Sequence, residues 1–253
     1  LDINFNKVAG EKIFFASDFH LGLGAGTDTA GRERKVVEWL DEIAPSAKEI
    51  YLLGDVFDFW WEYRYVVPRG FTRFLGTISF ITDSGIPVHL FAGNHDMWIG
   101  KYLENECGVI THHEPLITEF DGKKFYLAHG EGLGSDHKAF KLLLRIFRNR
   151  PLQKLYSALH PRIGMGFGHW WSKNSRLGKG ISLEFMGEEK EDLIRYSKDL
   201  LEKEKIDYFI YGHRHLTLKH VLGNGSTVMI LGDWIQQPNY AEWDGVTLTL
   251  KYY

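Results

Sequence analysis

Apolar runs that stop abruptly at Asp, Asn or His organise this chain. Ile13-Phe14-Phe15-Ala16-Ser17 runs into Asp18-Phe19-His20, and Ile50-Tyr51-Leu52-Leu53 runs into Gly54-Asp55-Val56-Phe57-Asp58. Ile86 to Ala92 leads into Gly93-Asn94-His95-Asp96, Phe125 to Ala128 into His129-Gly130, and Tyr208 to Tyr211 into Gly212-His213-Arg214-His215. Short apolar runs bounded by polar turns predict buried strands. An open α/β sheet places its chemistry at such strand ends.

Between the runs the periodicity changes. Arg32 to Ile43 carries Val36, Val37, Leu40 and Ile43 on one stripe and predicts a helix, so the first two strands form a parallel pair with a right-handed crossover. Helices are also expected over Phe71 to Ser84, Met97 to Glu106 and Glu188 to Lys205, and a hairpin over Glu114 to Leu127 turning at Asp121-Gly122. The C-terminal part reads as β, with Leu216 to Leu222 turning at Gly223-Asn224-Gly225 into Ser226 to Leu231, and Asp244-Gly245 leading into Val246 to Tyr252. The patch Phe57, Phe59, Trp60, Trp61, Tyr63 and Tyr65 fits either core packing or a pocket wall.

With 253 residues, 44% of them hydrophobic, the chain can bury a sizeable core in one domain, and residues 1–253 are read as one domain. Its single cysteine, Cys107, excludes an internal disulfide and predicts a buried apolar role in a reducing compartment. No apolar run approaches the roughly 18 to 20 residues that span a bilayer. The opening Leu1 to Asn6 lacks the basic start and apolar core of a signal peptide, so a cytoplasmic location is expected.

Charge is unevenly spread. Residues 137–180 hold ten Lys or Arg and no Asp or Glu, so with a net charge of −3 the rest of the chain sums to −13. Phe140, Leu143, Leu144 and Phe147 with Lys138, Lys141, Arg145 and Arg148 predict a basic amphipathic helix, and a second is expected over Leu152 to Leu159. Phe167, Trp170 and Trp171 follow among glycines. Such a segment fits an anionic membrane surface, a nucleic-acid groove or a helical pair with a solvated basic face.

The strand-end residues read as a binuclear metal site. Asp18 and His20, one residue apart, can turn to one ion, and so can His213 and His215. Carboxylate, amide and imidazole donors without thiolate suit Mn²⁺, Fe or Zn²⁺. Two ions about 3.5 to 4 Å apart need a bridging carboxylate, for which Asp55 is the candidate. Asp58 fits an outer role, orienting a ligand. His112 and His113, adjacent and therefore pointing apart, are expected to be structural or solvated.

Asp-x-His, Gly-Asp-x-x-Asp, Gly-Asn-His-Asp, His-Gly and Gly-His-x-His, in this order over residues 18 to 215, resemble the calcineurin-like metallophosphoesterase family. The resemblance implies an α/β (α+β) fold, a four-layer αββα sandwich of two mixed sheets with a helical insertion. It implies that Asp18, His20 and His215 hold one ion, Asn94, His129 and His213 the other, and that Asp55 bridges. His95 is implied to face the phosphoryl group as charge stabiliser or general acid, with Asp96 orienting it.

Two further stretches, Leu231-Gly232-Asp233-Trp234 and Asn174-Ser175-Arg176, resemble the UDP-2,3-diacylglucosamine pyrophosphatases of lipid A biosynthesis. In the best-known branch of that family an Arg stands where this chain has His95. That resemblance implies Mn²⁺, a cap over about 137–180 that holds two acyl chains, and a peripheral place on the cytoplasmic face of an anionic inner membrane. Asn174, Ser175, Arg176 and Lys179 are then expected on the polar part of the lipid-linked UDP-sugar, and Phe140, Leu144 and Phe147 on its acyl chains. The competing expectations are another phosphodiesterase, a nuclease, and a membrane-surface protein whose metal site is only structural.

Overall fold

The computed structural model describes residues 10–22, 28–134, 138–177 and 184–253. Its first half alternates strands and helices: β1 (Lys12–Ala16), α1 (Thr29–Ile43), β2 (Ala47–Leu52), α2 (Thr72–Asp83), β3 (Val88–Phe91), α3 (Tyr102–Cys107) and β4 (Ile110–His112). The hairpin β5 (Leu116–Phe120) and β6 (Lys123–Ala128) turns where expected, with Asp121 at φ 50° and Gly122 at φ 75°. Three helices, α4 (Lys138–Phe147), α5 (Arg150–Ser157) and α6 (Pro161–Leu177), occupy the basic stretch. The chain then runs through α7 (Asp192–Leu201), β7 (Tyr208–Tyr211), β8 (Leu218–Val221), β9 (Thr227–Ile230), β10 (Asn239–Trp243) and β11 (Leu248–Tyr252).

The described strands form two mixed sheets, ordered β11-β10-β1-β2-β3-β4 and β5-β6-β7-β9-β8. β1 through β4 are mutually parallel, as are β6, β7 and β9, while β10 pairs antiparallel with β1. The period-two alternation of strand side chains decides what each face meets. Ile13 and Phe15 turn to the other sheet, where they join Phe125, Leu127, Ile210 and Met229. Phe14 and Ala16 turn outward onto Val36, Trp39 and Leu40 of α1 and Ile78 and Ile81 of α2. On the far side, Tyr126, Phe209 and Val228 pack on Leu193 and Ile194 of α7. The layers therefore run helix, sheet, sheet, helix.

Several elements depart from the expected bounds. The charged helix is shorter than expected and begins at Asp192, and the expected helix over Met97 to Glu106 begins only at Tyr102. β4, β10 and α6 are additional. Cys107 is buried, as its apolar reading requires. His112 stacks on Phe91 with ring centres 4.5 Å apart and its Nε2 lies 2.9 Å from Nδ1 of His89.

Candidate metal centre

The C-terminal ends of β1, β2, β3, β6 and β7 gather at one edge of the sandwich, and their loops are bonded to one another. Asp18 N–H donates to the Gly54 carbonyl at 3.1 Å, His20 N–H to that of Asp55 at 2.9 Å, and Gly212 N–H to that of His129 at 2.9 Å. Among the described residues, seven non-glycine positions have left-handed backbone, and five of them are Asp18, His20, Asp55, His213 and His215. A non-glycine residue held there costs on the order of 1 to 3 kcal/mol. Such strain concentrated at one set of strand-end residues marks a functional site.

Close approach requires glycine beside them. A Cβ on Gly93 would stand 2.3 Å from Asp55 Oδ1, and one on Gly54 would stand 2.7 Å from the His129 ring at a φ of +89°. The glycines of the two motifs let three loops meet without a wall between their functional side chains.

Three groups of donor atoms converge, each lying within 4.8 Å of one another: Asp18, His20 and His215; Asp55, His129 and His213; and His20, Asp55 and His95. Asp55 Oδ2 lies 3.9 Å from His20 Nε2 and 3.3 Å from His129 Nε2, so its carboxylate stands between the first two groups. Asn94 Oδ1 joins the second at 3.3 Å from His129 Nε2.

The donor chemistry fits cations. His215 Nδ1 lies 2.9 Å from Asp233 Oδ2 and His129 Nδ1 lies 2.8 Å from the Leu53 carbonyl. Each Nδ1–H donates there, which turns the Nε2 lone pair of the neutral ring inward. His20 Nε2 and His215 Nε2 face each other at 3.2 Å, and the buried Asp18 Oδ1 beside them has no hydrogen-bond partner. Acceptors aimed at one point are satisfied by a metal ion.

Electrostatics point the same way. Burial alone pushes the Asp55 carboxyl up, but the imidazoles of His129, His95 and His20 outweigh it and hold the group well below the usual carboxylate range. Burial pushes His129 down, and the Asp55 charge reverses this and raises it well above its ordinary value.

Asp233, separated by one glycine from the apolar run Val228 to Leu231, is a further residue of the cluster. In the sequence the Gly-Asp-Trp stretch carries only a family resemblance, and its contact with the candidate ligand His215 is a finding of the structure. The other Asp233 oxygen accepts the Ile235 and Gln236 amides at 2.8 and 2.7 Å. Arg32 supports the opposite side, donating from Nη1 to the His20 carbonyl at 2.8 Å.

The expectation that Asp96 orients His95 is corrected. Asp96 is fully buried and its carboxylate accepts backbone N–H groups of Gly93 at 2.7 Å, Phe57 at 3.1 Å and Asp55 at 3.3 Å. Burial and the Asp55 charge push its pKa up to about 7 against the pull of those amides. It welds two loops together. The His95 ring is held elsewhere, with Nδ1 at 3.0 Å from the Asp58 carbonyl and 3.1 Å from Ser172 Oγ on α6. Asp58 Oδ1 lies 3.8 Å from His20 Nδ1, near the ring but beyond hydrogen-bond reach.

Beside this cluster α4, α5 and α6 enclose a cavity of about 180 Å³ with Phe59, Trp61, Trp98, Phe147, Phe167 and Trp171 in its wall. Trp98 donates from Nε1 to the Phe147 carbonyl at 3.1 Å, and the Phe147 and Trp171 rings lie 5.4 Å apart. The aromatic patch thus divides. Phe57 and Trp60 belong to the core, Phe59 and Trp61 to the cavity, and Tyr65 is 83% exposed.

Leu144 is corrected: its buried side chain lies over Gly132, beside Glu131 and Arg148, and it is not part of the aromatic wall that Phe147 joins one helical turn later. Asn174 is exposed on α6. Lys179 lies outside the described residues, as do the side chains of Phe140, Ser175 and Arg176.

The calcineurin-like phosphoesterase family model matches residues 11–216. A UDP-2,3-diacylglucosamine hydrolase of Porphyromonas gingivalis (strain ATCC BAA-308 / W83) is 43% identical over 253 residues, covering 95% of this chain and 97% of that protein. Another of the same name from Haemophilus influenzae (strain ATCC 51907 / DSM 11121 / KW20 / Rd) is 28% identical, covering 90% and 92%. With its motifs gathered at one sheet edge and its match extending over most of the sequence, this chain belongs to the calcineurin-like phosphoesterase family.

Proposed function

We propose that the chain hydrolyses UDP-2,3-diacylglucosamine at the α-phosphate, releasing UMP and 2,3-diacylglucosamine 1-phosphate. The observation that carries this reading is the aromatic cavity opening beside the carboxylate–imidazole cluster. A phosphoanhydride with a lipid on one side needs both at once: a cationic centre for the phosphate and an apolar chamber for the acyl chains. The relatives named UDP-2,3-diacylglucosamine hydrolase, matched over nearly their whole length, support it.

In this reading Asp18, His20 and His215 would hold one divalent ion and Asn94, His129 and His213 a second, with Asp55 able to serve both. Mn²⁺ suits a set of two carboxylates, one amide and four imidazoles. When bound, two such ions supply positive charge to the phosphoryl oxygens and lower the pKa of a water. The chain's residues do the rest. The Leu53 carbonyl and Asp233 fix the tautomers of His129 and His215. His95, with Nδ1 held by the Asp58 carbonyl, presents Nε2 toward the centre to stabilise charge on the phosphoryl group or to give a proton to the leaving oxygen.

The basic stretch at about 137–180 acts as the cap. Phe147, Phe167 and Trp171 receive acyl chains, and Asn174, Ser175, Arg176 and Lys179 meet the sugar and diphosphate. No helix among the described residues is long and apolar enough to cross a membrane. The cap nevertheless exposes Leu155 (69%), Ile163 (61%), Leu142 (58%) and Trp170 (58%) among its cations. Exposed apolar side chains set among lysines and arginines suit the surface of an anionic bilayer, and the cytoplasmic face of an inner membrane is the place this reading assigns.

A Mn²⁺-supplemented assay on UDP-2,3-diacylglucosamine, with UDP-N-acetylglucosamine and an aryl phosphodiester as controls, tests the reading. Release of UMP from the lipid nucleotide alone is expected. Hydrolysis of the aryl ester without hydrolysis of the lipid overturns the substrate while leaving the two-metal chemistry in place.

A further inference from the structure

The ring of His95 is held by two parts of the molecule. One support is the Asp58 carbonyl, from the strand-end loop after β2, at 3.0 Å from Nδ1. The other is Ser172 Oγ, from helix α6, at 3.1 Å from the same atom. A carbonyl only accepts, so Nδ1 carries a hydrogen and donates, and the serine oxygen shares that N–H as a second acceptor. Ser172 is 2% exposed, so water does not compete for the contact. We propose that Ser172 is a positioning residue through which the seating of α6 over the acyl cavity sets the orientation of His95.

The coupling follows from where Ser172 stands on its helix. Trp171 precedes it and lines the cavity, as do Phe167 and Gly168 one turn earlier. α6 lies directly against the floor at that point: a Cβ on Gly168 would stand 2.2 Å from Phe59 Cζ, and Phe59 follows Asp58 in sequence. The two supports of the ring are therefore each one residue away from a side chain of the cavity wall. An acyl chain that fills the space between Phe59 and Trp171 presses on both supports and holds the hydroxyl and the carbonyl at their spacing. Without a chain there, α6 is held by ring contacts, of which Phe147 to Trp171 spans 5.4 Å, and by the Tyr156 hydroxyl donating to the Gly164 carbonyl.

A histidine needs this arrangement because it is short and rotates about two bonds. Its two faces and two nitrogens look alike to a loosely held site, and only the rotamer with Nδ1 turned back to Asp58 sends Nε2 toward His20 and Asp55. A second acceptor supplied by the cap selects that rotamer when the substrate's lipid is in place. Loss of one such hydrogen bond commonly amounts to about a factor of ten in a rate that depends on the ring's geometry.

This inference rests on the reading that His95 serves the phosphoryl group and that the cavity takes acyl chains. Its test compares wild type with Ser172→Ala on UDP-2,3-diacylglucosamine, on analogues with progressively shorter acyl chains, and on an aryl phosphodiester. Metal content and Tm are measured alongside. The expected result is a drop in kcat of about tenfold on the long-chain substrate, with KM within twofold and metal content unchanged. The wild-type kcat should also fall as the acyl chains shorten, and this fall should largely disappear in Ser172→Ala. A kcat within twofold of wild type overturns the proposal. So does a loss of kcat matched by a loss of metal, or an unchanged acyl-length dependence, since each assigns Ser172 a structural role only. If wild type cleaves the aryl ester and not the lipid nucleotide, the substrate reading fails and the coupling with it. The kcat of Ser172→Ala on the aryl ester then decides whether Ser172 positions His95 at all.

Discussion

The floor of the site and the helices above it are built on opposite terms. The floor is made of strand-end loops pinned to each other through the backbone, with Asp18, His20, Asp55 and His129 all buried. Five of its functional residues sit in left-handed backbone that only a tightly bonded surround maintains. The helices α4 to α6 meet that floor through ring contacts and a few hydrogen bonds, and they leave Leu155, Ile163 and Trp170 in solvent. Rigid geometry serves a reaction whose atoms must be placed within a fraction of an ångström, while a looser, greasy chamber serves a ligand with many conformations. Substitutions in the two regions should consequently fail in different ways.

The largest effect is expected at Asp55, the residue proposed to serve both ion sites. Asp55→Ala should lose metal and at least about a thousandfold of activity. Elemental analysis of the purified variant, together with turnover, checks this; a fully metallated, active Asp55→Ala would break the floor as described. His95→Ala should keep its metal and lose on the order of 10² to 10⁴ in kcat, the range typical of a positioned acid. Retention of metal with loss of rate separates the residue that acts from those that ligate.

Asp233→Asn comes next, with metal affinity lowered about 10- to 100-fold through the His215 ring it orients. A competitive chelator titration reads that number directly. Above the floor, Trp171→Ala should raise KM for the lipid nucleotide by about tenfold, equivalent to about 1.4 kcal/mol of binding, and leave metal content untouched. An unchanged KM would remove the cavity from substrate binding.

The smallest effect concerns stability at the edge of the first sheet. Burial, with the neighbouring His89 and His113, lowers the pKa of His112 from 6.5 to about 4. Between these values the unfolded chain binds the proton and the folded chain does not, so stability falls as pH drops from about 6.5 to about 4 and changes little from this source above that window. Urea midpoints at pH 7 and pH 5 should differ less in His112→Asn than in wild type. An identical difference would free His112 of any part in acid sensitivity.

The floor was legible because its chemistry demands a visible pattern. A ligand at the end of a buried strand must follow an apolar run directly, and Asp18, Asp55, Asn94, His129 and His213 all do. Asp233 obeys the same rule after Val228 to Leu231 and could have been found by it. Asp96 misled because adjacency in sequence suggested adjacency of side chains, whereas the turn sends His95 toward the centre and Asp96 back onto the amides of Gly93 and Phe57.

The helices above were harder to read. α6 contains Gly164, Gly166 and Gly168, residues that disfavour helix, yet Gly168 is what lets the helix lie on Phe59. Ser172 carries no local signal, since its partner His95 stands 77 positions away. β10 was hidden for a related reason: its pairing with β1 joins the two ends of the chain, and no short-range pattern announces such a contact.

That last pairing has a consequence for how the protein is made. β1 is the first described strand to leave the ribosome and β10 is the last but one. Until Ala241 to Trp243 emerge, the backbone of Ile13 to Phe15 lacks its partner on that side, although every candidate ligand has already been synthesised. Metal can therefore meet its side chains on a nascent chain whose central sheet still has an open seam. The hairpin of β10 and β11 is then the clasp that closes that seam along β1.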